Sequence, residues 1–300
     1  MHVKVKLTLL RIASLYMSQY FEPWLDFKHP WVRQLCFAIA SPNILNATPN
    51  TPEMRQHFDW HDDAFWLQHY TQYLPRLREL DQQPEALLQF FSNLKSTRLG
   101  LRFEYLIWFW LQDSAYHDYQ LLAHSLQVIE GKQTLGELDF LVYNQTTQQL
   151  EHWEVALKYY LGEADLSLPY WYGLNREDTL YKKLHHFSHQ QFKFDSIDLD
   201  GDSQQIQQRR AVMKGQLYLP TGPSDLYASC QALPEWINPT RRLGYWGSHR
   251  YLSDYIRLDR SEWLCIEHDL DIEPPQWSSH GLYFNHTEHR YYMYRQVESI

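Results

Sequence analysis

Residues 119–160 carry strand-like patterning three times in succession, separated by turn residues. Tyr119 to Glu130 reads as one strand, Gly136 to Tyr143 as a second and Leu150 to Tyr160 as a third. Gly131-Lys132-Gln133 and Asn144 to Gln148 supply the turns between them. Turns this short join antiparallel neighbours, so this stretch predicts a three-stranded meander around which the rest of the chain must pack.

Side chains alternate faces along a strand. In the second strand Glu137, Asp139, Leu141 and Tyr143 share one face, and Leu138, Phe140 and Val142 share the other. In the third, His152, Glu154, Ala156 and Lys158 oppose Trp153, Val155 and Leu157. Glu137, Asp139, Glu154 and Lys158 are thereby candidates to converge on one surface. Carboxylates crowded together resist joint ionisation, and a bound Mg²⁺ relieves that repulsion through hard oxygen ligands. An ion of this kind activates water for attack on a phosphodiester, and an ammonium beside it orients the water or stabilises developing charge. The same residues read equally well as an ordinary buried ion pair between a carboxylate and Lys158.

Residues 1–95 read as mostly helical: one helix around Trp31–Phe37 that ends before Ser41-Pro42, one over Asp63–Leu80 containing Pro75, and one from Pro84 to about Leu94. Residues 96–112 are apolar nearly all round and predict a buried helix, with Glu104 as its one carboxylate. A polar helix is expected from Asn175 to Phe192, a loop over Asp195–Gln205, and a short strand over Gln216–Leu219. Short aromatic strands are expected at 241–246, 262–266 and 291–294. His57 and His61 stand four apart but without the HExxH pattern, and no P-loop, Rossmann glycine run or nucleophile elbow occurs.

The balance of 27 basic against 36 acidic residues, a net charge of −9, argues against a protein that coats nucleic acid nonspecifically. It leaves room for an enzyme with a local basic groove. Cys36, Cys230 and Cys265 are odd in number and widely spaced, which excludes a disulfide framework or zinc ribbon and suits a reducing cytoplasm. Lys4 and Lys6 before Leu7-Thr8-Leu9-Leu10 resemble the start of a signal peptide, but Arg11 cuts the apolar run short. No run is long and apolar enough to suggest a membrane span.

The succession of Glu104 on a helix, Gly136-Glu137-Leu138-Asp139, a hairpin, and Glu154-Val155-Ala156-Leu157-Lys158 resembles the PD-(D/E)XK phosphodiesterase superfamily. That superfamily's core runs helix, three-stranded meander, helix, strand, the order expected here over residues 98–219. The fuller pattern resembles a bacterial domain-of-unknown-function family placed in that superfamily. It includes Leu122-Ala123-His124, Trp153 through Gly162, and Lys214-Gly215-Gln216-Leu217-Tyr218-Leu219-Pro220. The resemblance implies that Asp139 is a metal-binding aspartate, Lys158 the catalytic lysine and Glu104 the helix glutamate. Gln190, Lys182 or Lys183 would supply the polar residue of the following helix. One departure stands out: Ala156 occupies the position two residues before the lysine, where the superfamily places its second acid. Glu154 lies two residues further back on the same face, a displacement of about 7 Å along a strand.

The expectation is therefore an α/β fold with a restriction-endonuclease-like core, a central mixed sheet flanked by helices. Residues 1–95 would form a helical N-terminal region, 96–222 the core, and 223–300 an aromatic-rich C-terminal elaboration packed on it. The expected activity is Mg²⁺- or Mn²⁺-dependent hydrolysis of DNA. Asp139, Glu154, Glu104 and Glu137 are candidate ligands, Asp139, Glu154 and Lys158 candidate catalytic residues, and Arg176, Lys182, Lys183 and Gln190 candidate nucleic-acid contacts. The alternative is an inactive module of the same fold that binds nucleic acid or protein.

Overall fold

The computed structural model describes residues 20–296 apart from 51–52, 164, 200, 222–231, 251–254 and 267–279. The leader-like stretch at Lys4–Arg11 and Cys230 lie outside the described residues.

Among the described residues four α-helices precede the meander. Helix α1 (Pro30–Ala40) begins on a proline, which needs no amide partner there, and stops at Ser41, whose extended backbone precedes Pro42. Helix α2 (Asp63–Gln82) is capped by Asp62, whose side chain accepts the Phe65 N–H at 2.7 Å, and runs through Pro75. Helix α3 (Glu85–Phe91) is short, and α4 (Leu99–Gln112) carries the buried residues Phe103, Leu106, Ile107 and Trp110.

Twelve strands follow the chain: β1 (Asp59–Trp60), β2 (Tyr119–Glu130), β3 (Gln133–Asn144), β4 (Gln149–Gly162), β5 (Trp171–Tyr172), β6 (Ser196–Leu199), β7 (Asp202–Gln205), β8 (Gln208–Pro220), β9 (Gly244–Gly247), β10 (Tyr255–Arg257), β11 (His280–Asn285) and β12 (Arg290–Arg295). Ten of them make one mixed sheet whose main order is β10-β11-β12-β9-β8-β4-β3-β2, with β1 added to β8 and β5 to β4. The β2-β3-β4 meander is antiparallel and β8 runs parallel to β4. Helix α5 (Leu180–His186), capped by the Thr179 hydroxyl accepting the Lys182 N–H, lies in the crossover between β4 and β8. The observed order is thus helix, meander, helix, strand.

Side chains from both faces of β4 fill separate cores. Trp153, Val155, Leu157, Tyr159 and Leu161 join α1, α2 and α4 in the large cluster, while Ala156 and Tyr160 pack with α5 residues Leu180 and Leu184. The large cluster extends from Trp24 through Trp110 to Met293, so the N-terminal helices, the meander and the C-terminal strands share one apolar interior. Lys214 on β8 points into this side. Its ammonium donates to the Ser41 carbonyl and lies 3.4 Å from the Trp66 ring centroid.

Three local expectations change. Residues 195–205 form the β6-β7 hairpin rather than a loop; only Ile197 is buried in it, so no apolar alternation marked it. Residues 260–263 are a 3₁₀ turn closed by reciprocal Asp259–Glu262 capping, not a strand. The helix expected over 175–192 begins only at Leu180 and passes at Phe187–Gln191 into a π turn.

Candidate functional site

Strands β3 and β4 pair from Asn144↔Gln149 to Phe140↔Trp153 and then part. Beyond that point β3 remains paired only with β2, and β4 only with β8 until β5 joins at Leu161. Asp139 and Glu154 are the first residues past the fork. In place of a ladder bond, the Asp139 carboxylate accepts the Val155 N–H at 2.8 Å, and the Asp139 N–H leans towards Glu154 Oε1 at 3.5 Å. Two carboxylates are therefore held side by side where β3 and β4 part.

Glu154 is wholly enclosed, with 0% exposure, while Asp139 keeps partial contact with solvent. Glu154 Oε1 lies 2.7 Å from His152 Nε2, and Glu154 Oε2 accepts a short bond from the Gln191 amide. The Gln191 carbonyl in turn accepts from Lys183 Nζ at 2.8 Å. Burial pushes the Glu154 carboxyl up to about 8, with the Lys183 charge opposing and Glu104 reinforcing. Burial, then the charges of Glu154 and Glu104, also hold Asp139 above the ordinary carboxylate range. Lys183 is pushed down to about 8 by burial despite its acidic neighbours, and burial keeps His152 neutral, down to about 3. The fold thus disfavours joint ionisation of the pair, an imbalance that a bound cation would lower.

That imbalance has a measurable sign. Unfolded, Glu154 releases its proton near the ordinary 4.5; folded, it holds it to about 8. The folded state binds more protons across that window, so stability falls as pH rises through it. Lys183 acts in the opposite sense above about 8, where the unfolded chain is the more protonated. The melting temperature of metal-free protein is expected to drop between about pH 5 and pH 8. Glu154→Gln should flatten that slope, and added Mg²⁺ should raise the melting temperature most near pH 8. An unchanged slope in Glu154→Gln would contradict this.

Lys158 lies on the same face as Glu154, one strand repeat beyond Ala156. Its ammonium pairs with Asp178 Oδ2 at 2.7 Å rather than with Asp139 or Glu154, and both partners are partly exposed. The carbonyl beneath it is approached closely by Gly215, its partner on β8, whose φ of +119° and missing side chain make the contact possible.

From the other side of the sheet, Glu104 on α4 reaches β2. Its Oε1 receives His124 Nε2 at 2.8 Å and the Ser125 hydroxyl at 3.2 Å. His124 is stacked on Trp108. Ser125 sits mid-strand with φ +49°, a left-handed conformation costing about 1–3 kcal/mol for a residue with a side chain. The flanking pairs His124↔Phe140 and Leu126↔Leu138 bracket it opposite Asp139. The strained residue thus lies at the fork.

The remaining candidates lie outside this group. Glu137 is exposed opposite Gln127 on β2. Lys182 is exposed and donates to the Glu177 carbonyl. Arg176 pairs with Glu163 at 2.7 Å and stacks on Tyr172. Gln190 is exposed, and its neighbour Gln191 is the amide that reaches Glu154. Gln191, His152 and Asp178 were missed in the sequence, although His152 and Glu154 share a face there.

Among the described residues no group of three or more His, Cys, Asp and Glu stands close enough together to hold a metal. The acidic groups brought together are the Asp139–Glu154 pair, with Glu104 acting on both through its charge. Two hard, repelling carboxylates fit an ion such as Mg²⁺, which takes one or two carboxylates and fills its remaining positions with water and phosphate oxygen. No described helix is long and apolar enough to cross a membrane.

The family model described as a domain of unknown function, DUF1853, matches residues 33–286. No curated protein and no solved structure matches the chain.

Proposed function

Because the chain belongs to the domain-of-unknown-function family DUF1853, its chemistry has to be read from its own site, and we propose a divalent-metal-dependent phosphodiester hydrolase of the PD-(D/E)XK kind that acts on DNA. The observation that carries this reading is the fork: Asp139 and Glu154 side by side where β3 leaves β4, with Lys158 further along the same face. The helix–meander–helix–strand order around it agrees with such a core.

In this reading Asp139 and Glu154 hold Mg²⁺ or Mn²⁺. Such an ion supplies a polarised phosphoryl oxygen and a more acidic water. Glu104, anchored by His124 and Ser125, keeps the site anionic. Lys158 positions water and stabilises charge on the phosphate oxygens. Lys183, braced through Gln191, offsets the carboxylates when no cation is bound.

The test is incubation of purified protein with supercoiled circular DNA and Mn²⁺. Nicking is expected, with none in EDTA and none for Asp139→Asn. Binding of DNA without nicking, unaffected by Asp139→Asn, would support the inactive module instead. That second reading draws on Ala156 in the acid's usual place and on the engagement of Lys158 with Asp178.

A further inference from the structure

A cavity of about 500 Å³ opens near the far end of β4, lined by Leu174, Arg257, Arg260, Trp263, His280 and Arg295 among others. Its charge is one-sided. No carboxylate among the described residues forms an ion pair with Arg257, Arg260 or Arg295. Among the described residues the one lining carboxylate, Asp259, is engaged in capping: its side chain accepts the Glu262 N–H while Glu262 Oε2 accepts the Asp259 N–H at 2.7 Å. Three guanidinium groups thus share one concavity in a chain whose net charge is −9.

The walls also suit a flat ring beside the charge. The Arg260 guanidinium lies 4.9 Å from the Trp263 ring centroid, a stacking pair open to solvent on the arginine side. Gly281 leaves room for the Arg257 side chain, since a Cβ there would stand 3.3 Å from Arg257 Nε. Arg295 is partly buried and donates to the Leu174 carbonyl; burial and the nearby Arg176 charge disfavour its cation, a cost that an arriving anion would lower. The pocket is tied to the neighbourhood of Lys158 by two short segments. The Trp263 carbonyl accepts the hydroxyl of Tyr159, next to Lys158, at 2.9 Å. Leu174 lies four residues before Asp178, the partner of Lys158.

We propose that this pocket is a second nucleic-acid anchor, taking a backbone phosphate between Arg257 and Arg260 with the adjoining base stacked on the Arg260–Trp263 pair. The proposal rests on the hydrolase reading for its choice of ligand and goes beyond it by assigning residues of the C-terminal strands to substrate binding. Arginine supplies charge and bidentate geometry to phosphate, and aromatic rings supply sequence-tolerant stacking.

The experiment measures anisotropy of a short fluorescein-labelled oligo-dT with the full chain in EDTA, across a salt series. Arg257→Gln/Arg260→Gln is expected to bind roughly tenfold or more weakly, with a log–log salt slope shallower by about 1. Trp263→Leu should lose affinity by a similar factor without changing the slope. Arg257→Lys/Arg260→Lys should recover part of the loss. Wild-type protein that fails to bind, or a double Gln variant that binds as wild type does, overturns the anchor. The two readings separate cleanly. Binding lost in the arginine variant with no Mn²⁺-dependent nicking by wild type keeps the anchor and removes the hydrolase. Nicking at full rate and full affinity by the arginine variant does the reverse.

Discussion

Gly215→Ala is expected to cost the protein about 2–6 kcal/mol, the sum of about 1–3 for a forbidden backbone and about 1–3 for overpacking. The φ of +119° at this position is one that residues with side chains rarely adopt. A Cβ built there would lie 1.9 Å from the Lys158 carbonyl oxygen and 2.9 Å from the Lys158 amide nitrogen, and both are backbone atoms in the centre of the sheet. Neither can move without breaking the β4–β8 ladder, which pairs continuously from Glu151↔Gln208 to Leu161↔Tyr218. Against a typical total of about 5–15 kcal/mol, such a loss removes a large share of the stability. Gly201→Ala is the control: its φ is also positive, at +87°, but nothing lies within 4 Å of its Cβ position. Urea midpoints of the two variants measure the difference. Equal, small losses in both would mean that the close approach under Lys158 is not structurally required.

The second large effect is on activity and leaves stability nearly intact. On the proposed hydrolase reading, Lys158→Met is expected to lower Mn²⁺-dependent cleavage by about 10²–10³, the usual consequence of removing one group that stabilises transition-state charge. The fold loses the Lys158–Asp178 pair, whose side chains are 27% and 37% exposed, and a contact of the ammonium 5.8 Å from the Tyr160 ring centroid. Pairs that exposed contribute roughly 0–1 kcal/mol. Single-turnover rates on a defined duplex, read beside melting curves, test both halves of the statement. A variant that cleaves at the wild-type rate would remove Lys158 from the chemistry. A variant that loses activity only in proportion to its folded fraction would make the lysine structural.

The parts legible in the sequence are those fixed by local pattern. The meander follows from period-two runs separated by turn residues, and its hairpins are short enough to leave no choice of pairing. Helix α4 follows from an apolar run with a single carboxylate. Asp139 and Glu154 share a face by parity alone. Other features depend on contacts distant in the chain. The fork between β3 and β4 exists because the Asp139 carboxylate takes the Val155 N–H, and no alternation of residue types encodes that bond. Gln191 faces Glu154 because a π turn inserts one residue after His186, shifting the phase that an ideal helix would have given to Gln190. Lys214 lies within a recognisable motif, yet its ammonium is buried on the opposite face of the sheet, against Ser41 and Trp66, away from the candidate site. The hairpin at 196–205 is nearly all polar, and its fold is set by the Asp198–Gly201 turn, where the Gly201 N–H donates to the aspartate at 2.7 Å.

Anomalous diffraction from crystals grown with Mn²⁺ addresses the carboxylate pair most directly. One peak bridging Asp139 and Glu154, absent in crystals of Asp139→Asn, is the predicted result. A wild-type map without a peak at the fork, at Mn²⁺ concentrations that support nicking, would contradict the account.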